Sequence, residues 1–277
     1  MKIFLIKPSI RDARRKLLLL LALFFFSWLC PSLSADIAVY GDTQTNAKVH
    51  ARIVSSVLGH EPEVVFHLGD LTSRGSQQRH YDAFFAIEDP LVHICPLWPA
   101  RGNHDRSRDL FLDNFPALDG KTWYTVEHDS LLFIILDSNL DLKPRSDQYN
   151  WLRQTLEAGP PLPRIVLLHY PVFSSGYKPG EAELDLFLPA LFESYGVVAV
   201  FSGHHHNYER LEHAGITYVI SGGAGGNLLT KHKLIQQSRM LRVDHHYMIL
   251  SRDGSSLNCA AYGLDGQVFE TFAIPLP

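Results

Sequence analysis

The stretch Phe201-Ser202-Gly203-His204-His205-His206-Asn207-Tyr208-Glu209-Arg210 follows a short apolar run, Val197 to Phe201, with the length and composition of a buried strand. Gly203 permits a sharp turn at the strand end. His204 and His206, two apart, can leave such a turn on one side and converge on a metal ion. A histidine cluster is weak evidence by itself, because surface runs and hydrogen-bonded core histidines are commoner than ligands. The weight comes from four earlier stretches in which a strand runs into metal-binding residue types. These are Tyr40-Gly41-Asp42-Thr43-Gln44, Leu68-Gly69-Asp70, Arg101-Gly102-Asn103-His104-Asp105 and Leu167-Leu168-His169. Asp, Asn, Gln and His suit a borderline-to-hard divalent cation, and none of the five stretches contains cysteine.

The order GD, GD, GNHD, VLLH, GHHH resembles the five blocks of the calcineurin-like metallophosphoesterase superfamily. GHHHNYER, with the earlier His169-Tyr170-Pro171-Val172-Phe173-Ser174-Ser175-Gly176, is most similar to its purple acid phosphatase branch. The resemblance spans nearly all of the chain from Asp36 onward. Each block is weak singly, and five in order at strand ends are specific. Strand–helix alternation followed by hairpins reads as an α/β protein with mixed sheets. The resemblance sharpens this to a four-layer αββα sandwich with two mixed β-sheets.

The resemblance also implies roles. Asp70 bridges two divalent metal ions (Mn, Fe, Zn or Mg); Asp42, Gln44 and His206 complete the first site, and Asn103, His169 and His204 the second. Ions ~3.5–4 Å apart hold a hydroxide and clamp a phosphoryl group for in-line attack. His104 is the general acid for the leaving group, with a natural pKa near neutrality. Asp105, counted with it as catalytic, either orients His104 or ties down the loop. Most of the superfamily has His where this chain has Gln44, and purple acid phosphatases have a Tyr ligand where it has Ser73. The expected centre is therefore colourless, with a harder and weaker first site.

The implied function is an exported phosphatase acting on a small phosphomonoester. A phosphodiesterase acting on cyclic nucleotides or glycerophosphodiesters is the alternative, and a non-catalytic binding module on the same fold is the alternative of another class. His205 reads as solvent-facing. Tyr208 and Arg210 either bind substrate or pack the hairpin, Arg74 is a phosphate candidate, and Lys231 to Asp244 reads as a solvated insertion, with a substrate-facing loop the alternative. Ser221-Gly222-Gly223-Ala224-Gly225-Gly226 lacks the Gly-Lys-Ser/Thr of a P-loop and reads as a tight loop passing close to its neighbours.

The first 35 residues read as a secretory signal. Lys2, Lys7, Arg11, Arg14, Arg15 and Lys16 precede an apolar core, Leu17 to Leu29, too short for a span of ~20 residues. Ser32, Ser34 and Ala35 then offer small residues for cleavage. Leu33 makes that site imperfect, so an uncleaved membrane anchor is the alternative. Arg14-Arg15 also resembles a twin-arginine signal. Periplasmic or secreted export is the expectation, with residues 36–277 forming one catalytic domain. Taking six basic and one acidic residue from totals of 25 and 29 leaves 19 and 28, a formal net charge of −9. Such a balance disfavours nucleic acid as a partner. Cys95 and Cys259 either pair or remain buried thiols.

Helices are expected over Ala47–Leu58, Gln77–Glu88, Arg108–Phe115, Asp147–Glu157 (with Asp147 as cap) and Ala182–Ser194. The end is expected to be all strand, over Tyr247–Ser251, Ser256–Tyr262 and Val268–Ile274.

Overall fold

The first strand, β1 (Ile37–Tyr40), is buried at every residue, yet its side chains enter two different cores. Ile37 and Val39 point between the two sheets, whereas Ala38 and Tyr40 point beneath helices, as the two-residue strand period requires. A strand covered on both faces reads as a continuous apolar run, and β2 (Val64–His67) and β5 (Leu131–Ile135) do the same. The computed structural model describes residues 36–176 and 183–277. The expected leader lies outside the described residues.

One sheet has six strands, ordered β13-β12-β11-β1-β2-β3. Here β3 is Leu97–Pro99, β11 His246–Asp253, β12 Ser256–Gly263 and β13 Val268–Pro275. The other has seven, ordered β10-β8-β9-β7-β6-β5-β4. Its remaining members are β4 (Tyr124–His128), β6 (Arg164–Leu168), β7 (Val197–Ser202), β8 (Tyr208–His213), β9 (Ile216–Ser221) and β10 (Ser238–Arg242). β1, β2 and β3 are parallel, as are β5, β6, β7 and β9; the flanking strands are antiparallel.

The sheets face each other across Val39, Phe66 and Leu68 on one side and Phe133, Leu167 and Phe201 on the other. Phe66 and Phe133 stack with ring centroids 4.2 Å apart. Helices α1 (Ala47–Leu58) and α2 (Gln78–Val92) cover the outer face of the six-stranded sheet with Val49, Ile53, Val57 and Leu91. Helices α4 (Asp147–Ala158) and α5 (Leu188–Ser194) cover the seven-stranded sheet with Leu152, Leu156, Leu188 and Phe192. The short α3 (Arg108–Asn114) packs Phe111 against Tyr81 and Phe84 of α2. This is the expected four-layer αββα sandwich.

Several local expectations are corrected. α2 runs through Pro90 for a further turn, giving up one intrahelical hydrogen bond. Ser146, not Asp147, caps α4, its Oγ accepting from Tyr149 N–H at 3.2 Å. Among the described residues, the helix expected to end at Ser194 is a 3₁₀ turn at Leu184–Leu186, then α5 with Pro189 in its first turn, where a missing N–H costs nothing. The expected insertion, Lys231 to Asp244, contains the edge strand β10. Cys95 and Cys259 are buried free thiols, in separate cores. Tyr208 and Arg210 join the sheets: Tyr208 OH donates to Glu270 of β13 at 2.5 Å, and Arg210 pairs with Glu270 at 2.9 Å.

Candidate metal centre

Parallel strands leave their carboxyl ends on one rim, where loops from neighbouring strands meet. Asp42 and Gln44 follow β1, Asp70 follows β2, and Asn103 and His104 follow β3. From the facing sheet, His169 follows β6, and His204 and His206 follow β7.

Side-chain donor atoms of Asp42, Asp70 and His206 all lie within 4.8 Å of one another, as do those of Asp70, His169 and His204. Asp70 is common to both groups. Gln44 Nε2 lies 3.2 Å from both Asp70 Oδ2 and His206 Nε2, and Asn103 Oδ1 lies 3.1 Å from His169 Nε2. The seven candidate ligands thus meet at one place.

The donor set fits a pair of cations. His169 Nδ1 is 2.9 Å from Leu68 O and His206 Nδ1 is 2.7 Å from Asn227 O. Each Nδ1–H is thereby committed to a carbonyl, leaving Nε2 for a metal. Buried Gln44 Oε1 has no hydrogen-bond partner. Half a turn of that amide brings Oε1 beside the Asp70 carboxylate and the His206 lone pair, a grouping that a cation favours and its absence does not. Burial pushes the His169 imidazole down, but the Asp70 carboxylate 3.4 Å away reverses this and holds it at about 9. Burial alone would raise Asp70; the charge and hydrogen bond of His169 and the backbone N–H of His104 instead bring it below the usual carboxylate range. A proton shared between two convergent ligands is what a metal displaces on binding.

His104 stands at the rim. Its side chain is 38% exposed, its Nε2 is 4.0 Å from Asp70 Oδ2, and its Nδ1 is 3.2 Å from Ser73 O. The Ser73 carbonyl holds the ring with Nε2 toward the centre, where an incoming ester would be. Ser73 Oγ contacts His80 Nδ1 at 3.3 Å, so this residue takes no ligand role in place of Tyr.

Of the two roles expected of Asp105, the structure shows the tie between loops. Fully buried, it accepts from the N–H groups of Leu71, Thr72 and Gly102, and no contact joins it to the His104 side chain. It ties the loop after β2 to the loop after β3. Burial, then the nearby Asp70 charge, raises it to about 7 against those N–H donors. His205 is corrected: it is buried, with Nδ1 2.5 Å from Ser174 Oγ and its ring stacked on His204. Arg74 is exposed, as an available cation beside the His104 loop.

The glycine-rich run is the close-approach loop expected. A Cβ on Gly222 would fall 2.4 Å from His205 O, and one on Gly226 would fall 2.6 Å from the His206 ring. Gly203 serves the same end rather than permitting the turn: His204 takes the positive φ, 67°, while a Cβ on Gly203 would fall 2.4 Å from Asp42 Oδ2.

Two supporting features escaped sequence reasoning, the Arg101–Asp137 pair and the carbonyls that orient two candidate ligands, whereas His67 reads from sequence as a core residue supporting the site. Buried Arg101 pairs with Asp137 at 2.8 Å, joining β3 to the end of β5. His67 Nε2 meets Thr43 Oγ1 at 3.1 Å beneath the Asp42 loop. The carbonyls of Leu68 and Asn227 orient two ligands, and backbone atoms leave no residue-type signature.

The model of the calcineurin-like phosphoesterase family matches residues 35–208. The chain belongs to that family. Its relatives include purple acid phosphatases: the probable inactive purple acid phosphatase 24 of Arabidopsis thaliana is 26% identical over 76% of this chain and 43% of its own length. A nucleotide pyrophosphatase/phosphodiesterase of Hordeum vulgare is 24% identical over 76% of this chain and 72% of its own. Purple acid phosphatase PPD1 from yellow lupin (Lupinus luteus) shares the fold, with a TM-score of 0.75 at 22% identity, over 87% of this chain and 53% of the lupin chain. The chain thus spans under half the length of the Arabidopsis relative.

Proposed function

We propose that the phosphoesterase is a metal-dependent phosphatase of small phosphomonoesters, with His104 as general acid. The observation that carries this reading is Asp70, shared between two groups of donors from opposite sheets with His104 Nε2 4.0 Å away. When bound, a divalent pair supplies an acidified water as nucleophile and takes up charge on the phosphoryl oxygens. Asp70, kept anionic, spans the two donor groups. Asn103 and His169 converge beside it, and His104 stands at the rim with Nε2 toward the centre and Ser73 holding its Nδ1–H. A protonated Nε2 there delivers its proton to the departing alkoxide. Asp105 keeps the two loops, and so Asp70 and His104, in register.

The Hordeum relative's name favours a second reading, hydrolysis of diesters, which the same donor groups can serve. The Arabidopsis relative's name raises a non-catalytic module. The assembled seven donors and the rim position of His104 speak against it. Measuring phosphate release from an alkyl monoester, and nitrophenol release from a nitrophenyl monoester and its bis-ester, with each divalent metal restored to chelated protein, separates the three. The alkyl monoester should be hydrolysed only with metal present. His104→Ala should lower its rate by ~10²–10⁴-fold while costing the nitrophenyl ester much less, since nitrophenolate leaves without a proton. Equal losses on both esters would refute His104 as the acid.

The leader reading belongs to the same proposal. No described helix is long and apolar enough to cross a membrane, and the basic, apolar and small-residue order of residues 1–35 supports export. N-terminal sequencing of the exported protein checks it, an intact Met1 indicating the anchor.

A further inference from the structure

The segment after the glycine-rich loop builds a pocket against a metal-ligand candidate. Gly226 N–H donates to Asp42 O at 2.7 Å, and Leu229 N–H donates to His206 O at 3.0 Å. With His206 Nδ1 bound to Asn227 O, this backbone is laced to two ligand residues on both sides of the imidazole. The absent Cβ of Gly226 lets it lie flat on that ring. The result is a cavity of ≈ 310 Å³ lined by His206, Asn227, Leu228, Leu229, Thr230 and Lys231.

Its chemistry is lopsided. Leu228 and Leu229 are half-buried walls, and Leu229 is packed over Gly176. Lys231 is exposed, no carboxylate lines the pocket, and Lys231 makes no ion pair among the described residues. A volume near the bottom of the range for ligand pockets suits a single ring and not a polymer. A group seated there touches His206, whose imidazole belongs to the same donor group as Asp42 and Asp70.

We propose that this pocket selects the organic part of the substrate: a ring-sized apolar group bearing a second anion, which Lys231 meets at the rim. The inference rests on the phosphatase reading for the placement of the phosphoryl group. It gives the segment from Asn227 to Lys231 a purpose beyond covering His206. Apolar burial favours the ring, and the ammonium adds a smaller, salt-dependent preference for the anion.

Calorimetric binding of three non-hydrolysable phosphonates to the metal-loaded protein tests this directly. Benzylphosphonate should bind about tenfold tighter than methylphosphonate. 4-Carboxybenzylphosphonate should gain a further threefold or so at low salt. Leu228→Ser should erase most of the first ratio and Lys231→Ala the second, with circular dichroism confirming that each variant is folded. Lys231 is exposed, so its variant tests the anion preference even if Leu228→Ser does not fold. Equal binding of the methyl and benzyl compounds, or ratios unmoved by the variants, would overturn the pocket assignment while leaving methyl phosphate hydrolysis, and the phosphatase reading, intact. Ratios as expected in a protein that hydrolyses no ester would sink the phosphatase reading and keep the pocket. Binding of none of the three would overturn both.

Discussion

The two ends of the parallel strands use glycine for opposite purposes. At the amino ends, Gly215 and Gly254 sit in hairpin turns with φ of 78° and 54°, and a Cβ on either would meet nothing within 4 Å. At the carboxyl ends, Gly102, Gly203 and Gly222 have no positive φ, yet their missing side chains leave room for Asp70, Asp42 and His205. There the left-handed conformation falls on Gly69 and also on the candidate ligands Asp42, Asp70 and His204, with φ of 93°, 61°, 52° and 67°. Such strain costs about 1–3 kcal/mol at each non-glycine residue. One rim uses glycine for conformation and the other chiefly for space, Gly69 serving both, so that the candidate ligands can come together.

The comparison breaks most visibly at Gly203. Gly203→Ala should push Asp42 out of the donor group, lowering bound metal below two per chain by elemental analysis and slowing hydrolysis by ~10²-fold or more. A variant retaining both properties would show that the close approach is dispensable. Arg101→Ala, at the same rim, leaves Asp137 buried without its cation and should cost about 3–5 kcal/mol in urea unfolding.

Acid sharpens the contrast next. His246 is buried, and desolvation lowers its imidazole to about 4, against an ordinary 6.5 in the unfolded chain. A base with a depressed folded-state value binds protons preferentially when unfolded. Its contribution is therefore intact above pH 6.5 and declines as pH falls toward 4, reaching at most about 3 kcal/mol. Replacing His246 with Gln should flatten the stability profile in that window. At the quiet end, Gly254→Ala should cost only about 1–2 kcal/mol, from the left-handed backbone alone, with metal content unchanged.

The convergence of the candidate ligands was legible because each follows an apolar run that ends in a polar residue type with few structural uses, repeated five times. Asp42, Gln44, Asp70, Asn103, His169, His204 and His206 all carried that pattern. His205 did not: a polar residue at a turn reads as exposed, and its burial depends on Ser174 and Gly176 arriving from another loop. Asp105 looked catalytic beside His104, but its carboxylate is occupied by backbone donors more than thirty residues away at Leu71 and Thr72. β10 was illegible because an edge strand with Arg239 and Arg242 carries the charges that discourage further pairing. Its order comes from the backbone groups of β8, and no apolar alternation announces that.

The donor groups that meet at Asp70 draw on both sheets, so any cation pair held there also acts as a clasp between layers whose other cross-links include apolar contacts, the Arg101–Asp137 pair and the Tyr208–Arg210–Glu270 cluster. By mass action, ligand that binds only the folded chain raises its melting temperature with concentration. Metal supply would then govern how long the protein survives as well as how fast it turns over, and a chelator would loosen the sandwich from its catalytic edge inward.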